Sequence, residues 1–158
     1  MKRIIGIDPA LTKAGWGVIE VSGNSFKFVA CGLIKTDANL ELSKRLLHLH
    51  QELILAVQLY KPHEAVIEET FLNMNPTSSL KLGHARGALM LTLGLCGLPV
   101  FEYSTTAIKK TVVGVGRAEK TQIQAMIKIL LPNNKAKSED EADALAAAIC
   151  HANNVRKF

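Results

Sequence analysis

The pattern of apolar and polar residues predicts that the chain opens with three strands. An apolar run over Lys2–Asp8 leads into a turn, and β-rich runs follow over Trp16–Val21 and Phe26–Ile34. The second and third runs are separated by Ser-Gly-Asn at 22–24, which is a turn signal. Because strands joined by short turns pair antiparallel, we expect an antiparallel meander at this end of the chain.

After the meander, the pattern alternates between helices and strands. Apolar residues recur at three- and four-residue spacing from Leu40 to Tyr60, which predicts an amphipathic helix that Pro62 ends. The remaining predicted elements are a strand over Glu64–Glu68, a helix from Thr77 or Ser78 to about Gly97, a strand over Pro99–Tyr103, a short helix from Ser104 or Thr105 through Thr111, and helices over Ala118–Leu131 and Ser138–Ala152. This order predicts an α/β fold in which a mixed five-stranded sheet has helices on both faces, as in the ribonuclease H-like architecture.

Length and composition narrow the class of protein. With 158 residues, 48% of them apolar and 21% charged, we expect a single domain over 1–158 with a substantial core. Three widely spaced cysteines with no C-x-x-C pattern argue against a disulfide framework or a structural zinc site. The apolar runs at Ile4–Ile7 and Gly87–Phe101 are too short for a signal peptide and a membrane span, respectively. We therefore expect a cytoplasmic protein with no membrane partner.

Charge is distributed unevenly along the chain. The formal net charge is +5, and the segment Lys81–Lys137 holds nine basic residues against Glu102 and Glu119. Acids follow immediately after this segment, at 139–141 and at Asp143. A basic surface beside an acidic cluster is the arrangement that nucleases need when they hold metal ions next to a phosphate backbone.

Two predicted strands end in a carboxylate. Asp8 ends the first strand, and Glu68 ends the fourth with Glu69 next to it. Side chains alternate across a strand, so only one of the two glutamates shares a face with Asp8, and we choose Glu68. If these strands are parallel neighbours, their carboxyl ends lie side by side. The alternative for Asp8 is that it merely starts the turn before Pro9.

A third source of carboxylates is the start of the last predicted helix. Asp140 and Asp143 are three residues apart and share a helix face, while many alanines leave this helix slim enough to lie close against the sheet. Clustered acids repel one another unless a cation or solvent compensates them. The alternative is favourable placement at a helix amino terminus, which explains Glu139 and Glu141 well.

Oxygen ligands of this kind indicate Mg²⁺ or Mn²⁺, since no histidine or cysteine clusters with the acids. Two such ions about 4 Å apart can activate a water molecule and stabilise the leaving oxygen of a phosphodiester. The predicted reaction is therefore hydrolysis without a covalent enzyme intermediate.

With these residues in place, the chain closely resembles the RuvC family of Holliday-junction resolvases, also called crossover junction endodeoxyribonucleases. The resemblance covers nearly the whole chain. Its matching stretches are I-I-G-I-D-P ending at Pro9, V-I-E-E-T-F ending at Phe71, S-S-L-K-L-G-H-A-R-G ending at Gly87, P-V-F-E-Y ending at Tyr103, K-K-T-V-V-G-V-G-R-A-E-K-T-Q from Lys109 to Gln122, and D-E-A-D-A-L-A from Asp140 to Ala146.

The resemblance implies a Mg²⁺-dependent homodimer that makes paired, symmetric nicks in four-way DNA junctions during recombination and repair. It also implies partners from the RuvA and RuvB families, which bind junctions and drive branch migration. The matching positions are the catalytic acids Asp8, Glu68, Asp140 and Asp143, the lysines Lys109 and Lys120 near the scissile backbone, and the aromatic Phe71 at the junction centre. Ala10 departs from the glycine that many relatives have there. The chain stops at Phe158, so a longer basic tail is not assumed.

Other basic residues and one helix add expectations of their own. Lys81, Arg86 and Arg117 are expected to contribute general affinity for DNA. The helix between Ser78 and Gly97 is apolar nearly all round in its second half, more than one sheet face can cover. We expect a second copy of the chain to cover it in a two-fold dimer. The alternative is burial by the two carboxyl-terminal helices of the same subunit.

Three other functions compete with this interpretation. An actin-like or sugar-kinase-like ATP-binding protein also opens with a strand, an aspartate and a Gly-rich turn, but it needs two related domains. A non-catalytic DNA-binding module would use the basic half alone and leaves the separated carboxylates without a purpose. A ribonuclease H-like nuclease acting on another nucleic acid, such as an RNA/DNA hybrid, is the nearest alternative by chemistry.

Overall fold

The computed structural model describes residues 1–69 and 75–155. This part of the chain contains five strands and five helices in the predicted order. The strands are β1 (Lys2–Asp8), β2 (Lys13–Ser22), β3 (Ser25–Lys35), β4 (Glu64–Glu68) and β5 (Val100–Tyr103). The helices are α1 (Leu42–Tyr60), α2 (Pro76–Leu95), α3 (Thr105–Val113), α4 (Lys120–Leu130) and α5 (Glu139–Val155).

The strands form one mixed sheet in the order β3-β2-β1-β4-β5. The first three strands pair antiparallel, whereas β4 pairs parallel with β1 and β5 pairs parallel with β4. Ile7 lies opposite Ile67 in the register, so Asp8 and Glu68 follow at adjacent strand ends. The predicted mixed five-stranded sheet is confirmed.

Two hydrophobic layers cover the two faces of the sheet. Helices α1 and α2 pack with Ile5 and Ile7 of β1, whereas α3, α4 and α5 pack on the face that carries Ile4 and Val66. Because side chains alternate along a strand, Asp8 shares the face of Ile4, and Glu68 shares the face of Val66. Both carboxylates therefore point to the α5 side of the sheet.

Helix α5 lies with its backbone directly on the sheet. A Cβ atom added to Gly6 would lie 2.0 Å from the Ala144 carbonyl oxygen, and one added to Gly15 would lie 2.2 Å from the Asp140 carbonyl oxygen. The alanines of α5 from Ala144 to Ala148 are fully buried. Small residues on both surfaces let helix and sheet approach this closely, which places the start of α5 over the end of β1.

Some element boundaries differ from those predicted. Thr77 and Ser78 do not cap α2, because the Asn75 side-chain oxygen accepts hydrogen bonds from their backbone N–H groups at 3.0 and 3.3 Å. Asn is a strong capping residue, and proline suits the first helical position that follows it. Helix α3 continues past Thr111 to Val113 and ends where Gly114 adopts φ +97°, a left-handed conformation that suits glycine.

The outer face of α2 is open in this structure. Leu80, Leu91 and Leu95 are 62%, 64% and 69% exposed. The carboxyl-terminal helices α4 and α5 lie on the opposite face of the sheet, where they pack in the other hydrophobic layer. The alternative that these helices bury the outer leucines of α2 is therefore wrong.

Two findings concern membrane-spanning helices and crosslinks. No helix within residues 1–69 and 75–155 is long and apolar enough to cross a membrane. All three cysteines carry free thiols.

Candidate active site

A pocket lies where the carboxyl ends of β1 and β4 meet the first turns of α3, α4 and α5. The carboxylates chosen from the sequence all line it, each from the element that was predicted to carry it. Its lining residues are Asp8, Ala10, Glu68, Thr105, Ile108, Lys109, Lys120, Ile123, Asp140 and Asp143. Glu69 is exposed and does not line the pocket.

Burial and mutual repulsion both disfavour ionisation of Asp8 and Asp143 in the pocket. Burial raises the pKa of Asp8 to about 9, helped by the charges of Glu68 and Asp143 and by a hydrogen bond to Asp140. Burial also raises the pKa of Asp143 to about 6, with Glu68 as the next cause and Lys120 opposing it. Carboxylates that disfavour ionisation this strongly are stabilised in their charged form by a bound cation.

The donor set fits a hard divalent cation. Only carboxylate oxygens are offered, which suits Mg²⁺ or Mn²⁺. Across the described parts of the chain, no three His, Cys, Asp or Glu side chains form a ready-made metal cage. An incomplete set of protein ligands agrees with the coordination preference of Mg²⁺. This ion usually binds one or two carboxylates and completes its coordination shell with water and substrate phosphate.

Two lysines stand beside the acids. Lys109 reaches the pocket from α3 and Lys120 from the first residue of α4. The Lys120 ammonium lies 3.1 Å from a carboxylate oxygen of Glu139, and this contact raises the pKa of Lys120, opposed by burial and supported by Asp143. Both lysines therefore bring positive charge to the pocket beside the acids.

The other predicted DNA-binding residues lie elsewhere. Lys81 is exposed on α2, and Arg117 is exposed in the connection between α3 and α4. Arg86 is engaged within the protein, because it forms an ion pair with Glu102 and donates a 3.2 Å hydrogen bond to the backbone carbonyl of Glu68. Phe71 lies outside the described residues.

Comparison with known proteins identifies the family. The family model described as "Crossover junction endodeoxyribonuclease RuvC" matches residues 4–151. The chain belongs to the RuvC family. The RuvC of Rhizobium johnstonii is 53% identical over 152 residues, which span 96% of this chain and 90% of that protein. The RuvC of Sinorhizobium medicae is 52% identical over 154 residues, 98% of this chain and 92% of that protein.

A solved structure of a RuvC protein agrees over the whole fold. The structure described as "T. thermophilus RuvC in complex with Holliday junction substrate" has a TM-score of 0.93 and 27% sequence identity, and covers 99% of this chain and 96% of that chain. The ribonuclease H-like α/β fold expected from the sequence is thereby confirmed.

In this RuvC-family chain, the acids at the start of α5 have separate tasks. Ser138 and Glu141 form a reciprocal cap, in which the Glu141 N–H donates to Ser138 Oγ at 3.2 Å and the Ser138 N–H donates to Glu141 Oε2 at 2.9 Å. Glu141 is buried, whereas Glu139 is exposed and pairs with Lys120. The pattern S-x-x-E, which signals a capping box, could have assigned Glu141 from the sequence.

The turn that follows Asp8 is braced by residues that sequence reasoning missed. The hydroxyl of Thr36 donates to the Leu11 carbonyl at 2.5 Å. Arg45, which is buried, donates to that hydroxyl oxygen at 2.9 Å and to Thr12 Oγ1 at 3.3 Å. These contacts join α1 and the segment directly after β3 to the turn that carries Ala10. Nothing in the local sequence pattern indicates them, because the partners are distant along the chain.

Thr105 is a further pocket residue that sequence reasoning did not assign to the site. Its hydroxyl donates a hydrogen bond to the carboxylate of Glu68. The sequence left Ser104 and Thr105 as alternative caps of α3, and the structure assigns the cap to Ser104, whose Oγ accepts the Ala107 N–H at 3.0 Å. The hydroxyl of Thr105 is therefore available to the pocket.

Proposed function

We propose that this chain is a structure-selective endonuclease that resolves four-way Holliday junctions in recombination and repair, with residues 1–158 forming a single ribonuclease H-like nuclease domain. The observation that carries the proposal is the pocket in which carboxylates from β1, β4 and α5 meet beside Lys109 and Lys120. Membership of the RuvC family and the likeness to a RuvC protein solved with junction DNA support this substrate.

The carboxylates would hold divalent cations. We assign this task to Asp8, Glu68, Asp140 and Asp143, with Mg²⁺ as the ion, Mn²⁺ as a substitute, and two ions per site. When bound, the ions supply an activated water and stabilise the leaving oxygen of the phosphodiester.

The side chains prepare the pocket for this charge. On binding of a cation, Asp8 and Asp143 would give up the protons that burial and mutual repulsion favour, and both would hold the ion as carboxylates. Lys109 and Lys120 donate to phosphate oxygens and hold the backbone against the acids. Lys81, Arg86 and Arg117 remain predicted as contributors to general affinity, and Phe71 as an aromatic that stacks on an unpaired base.

Paired incision needs two such pockets on one junction. A two-fold homodimer through the exposed outer face of α2 would supply them, because an isologous interface repeats each site symmetrically. Proteins of the RuvA and RuvB families are the expected partners.

The decisive experiment is incubation of the pure protein with a synthetic mobile four-way junction, with Mg²⁺ and with chelator. We expect symmetric nicks in Mg²⁺ and binding without cleavage in chelator. Binding without cleavage under both conditions would favour a non-catalytic DNA-binding module. Faster cleavage of an RNA/DNA hybrid than of the junction would favour a ribonuclease H activity.

A further inference from the structure

We propose that Thr105 is a positioning residue for Glu68, whose hydroxyl fixes one carboxylate oxygen and leaves the other free for a divalent cation. The proposal rests on the function proposed above, because it takes Glu68 as a holder of that cation. Thr105 contacts the Glu68 carboxylate but is not one of the four acids assigned to the cations.

The backbone of Glu68 is already fixed. Glu68 lies opposite Tyr103 in the parallel register of β4 and β5, and the Glu69 N–H donates to the Tyr103 carbonyl at 2.9 Å. Arg86 donates to the Glu68 carbonyl from α2. Because the strand end is held on both sides, the remaining freedom of Glu68 lies in its side-chain torsions.

Thr105 removes that freedom. Its hydroxyl is the hydrogen-bond donor to the Glu68 carboxylate among the described residues, since Lys109 and Lys120 line the same pocket without bonding to it. The hydroxyl has no competing task in the helix, because Ser104 supplies the cap of α3. Thr105 is also half-buried, so bulk water competes weakly for the bond.

A hydrogen bond from outside the ligand set has two effects on a metal-holding carboxylate. It selects one rotamer and it occupies one oxygen, which directs the other to the cation. Loss of such partners typically weakens metal affinity by about 10- to 100-fold. The inference therefore predicts a change in cation binding that is measurable without DNA.

The test compares Thr105→Val, which replaces the hydroxyl by a methyl group of similar size, with Thr105→Ser, which keeps the hydroxyl. Binding of Mn²⁺ to DNA-free protein is followed by the electron paramagnetic resonance signal of the free ion. The Mg²⁺ concentration for half-maximal junction cleavage is measured alongside. We expect Thr105→Val to lower the affinity for Mn²⁺ by about 10-fold and to raise the Mg²⁺ concentration for half-maximal cleavage by about 10-fold. Both values for Thr105→Ser should stay close to those of the unsubstituted protein.

Thr106→Val is the matched control, since Thr106 is the next residue of α3, is exposed and does not line the pocket. Junction binding in chelator is expected to be equal in all variants, which excludes a general loss of fold. Unchanged Mn²⁺ binding and unchanged Mg²⁺ dependence in Thr105→Val would overturn the inference.

Glu68→Gln separates this inference from the function on which it rests. If Glu68→Gln cleaves junctions and binds Mn²⁺ normally, the assignment of Glu68 fails and the inference fails with it. If Glu68→Gln loses cleavage while Thr105→Val behaves like the unsubstituted protein, the proposed function stands and the positioning role of Thr105 is excluded.

Discussion

Asp140 and Glu141 are adjacent in the chain, yet Asp140 lines the pocket whereas Glu141 caps the amino terminus of α5. The three-residue spacing of Asp140 and Asp143 predicts a shared face, and the structure places both in the pocket. Composition alone could not separate these two from Glu139 and Glu141, because all four favour a helix amino terminus. The separation comes from which direction each side chain takes once α5 lies on the sheet.

Replacing Asp140 or Asp143 by asparagine removes a charge while keeping the side-chain size. We expect junction cleavage to fall at least 100-fold in each variant, because several kcal/mol of charge stabilisation at the reacting phosphate would be lost. Junction binding in chelator should persist. Cleavage and binding are measured on the same labelled junction.

Glu139→Gln is the control for these variants, since Glu139 is exposed and does not line the pocket. It should cleave within about threefold of the unsubstituted protein, because an exposed ion pair with Lys120 contributes little. Normal cleavage by both Asp140→Asn and Asp143→Asn would remove α5 from the proposed site.

His151 is buried at the other end of α5 in a chain of hydrogen bonds. Tyr103 Oη donates to His151 Nδ1 at 3.0 Å, and His151 Nε2 donates to Glu64 Oε2 at 3.0 Å, while Lys2 forms an ion pair with the same carboxylate. Burial lowers the pKa of His151 below its ordinary 6.5, although Glu64 opposes this. Burial acts to raise the pKa of Glu64, but Lys2 and His151 outweigh it and lower that pKa.

These shifts predict that acid removes the stability that His151 and Glu64 contribute. Between the folded pKa of His151 and 6.5, the unfolded chain binds more protons at this residue than the folded one, so the stability that His151 contributes is complete above pH 6.5 and is lost as pH falls. Asp8 and Asp143, whose pKa values are raised to about 9 and about 6, act in the opposite direction, so the His151 contribution is read from the difference between variants. One group contributes a slope of at most about 1.4 kcal/mol per pH unit. Glu64 extends the loss below pH 4.5. Urea unfolding at a series of pH values measures it.

His151→Gln, which cannot titrate, should lose less stability with acid just below pH 6.5 than the unsubstituted protein does. His84→Gln is the control, since His84 is exposed on α2 and should leave the profile unchanged. An identical slope in His151→Gln and the unsubstituted protein would contradict the role of His151.

At the scale of elements, the parallel pairing of β1 with β4 and the packing of α5 against the sheet create the site. The hydrophobic pattern, together with turn residues, prolines and caps, was sufficient to predict the strands and helices, because burial imposes a period of two on strands and 3.6 on amphipathic helices. Long-range partners were not predictable in this way. Arg45 as a brace and Thr105 as a partner of Glu68 depend on contacts that only the assembled sheet creates. Asn75 caps α2 through local contacts with Thr77 and Ser78, which the Asn-Pro pair could have indicated.

Gly15→Ala tests how closely α5 must approach the sheet. The new Cβ would lie 2.2 Å from the Asp140 carbonyl oxygen, so the backbone of α5 has to move at a pocket residue. Overpacking of this kind costs about 1–3 kcal/mol of stability. We expect cleavage to fall by about 100-fold, since a displacement of roughly 1 Å is enough for that. Single-turnover cleavage rates and urea unfolding measure the two effects.

Gly17→Ala is the matched control, because its Cβ would first meet the Leu145 side chain, at 2.7 Å, and not the backbone at Asp140. Gly17→Ala should lower the free energy of unfolding about as much as Gly15→Ala does, but it should reduce the cleavage rate less. Equal losses of cleavage in the two variants would indicate that general destabilisation, and not displacement of Asp140, limits the rate.

At the scale of the whole molecule, the proposed dimer depends on the outer face of α2. Leu91 is 64% exposed there, and Leu59 is 68% exposed on α1. We expect Leu91→Lys to produce a monomer in sedimentation equilibrium at micromolar concentration and to lose paired nicking, because a charge in an apolar interface is costly. Leu59→Lys should remain a dimer. A monomeric unsubstituted protein, with or without junction DNA, would exclude the dimer.

The contact of α5 with the sheet also limits how this site could be transplanted. The distance between the carboxylates of β1 and α5 is set where two backbones touch, at Gly6 and Gly15, and no side chain lies between them to adjust it. A designer who grafted the four acids onto another mixed sheet would therefore have to graft both glycines as well. With any larger residue at either position, the carboxylates of α5 would stand too far from Asp8 to share the proposed cations.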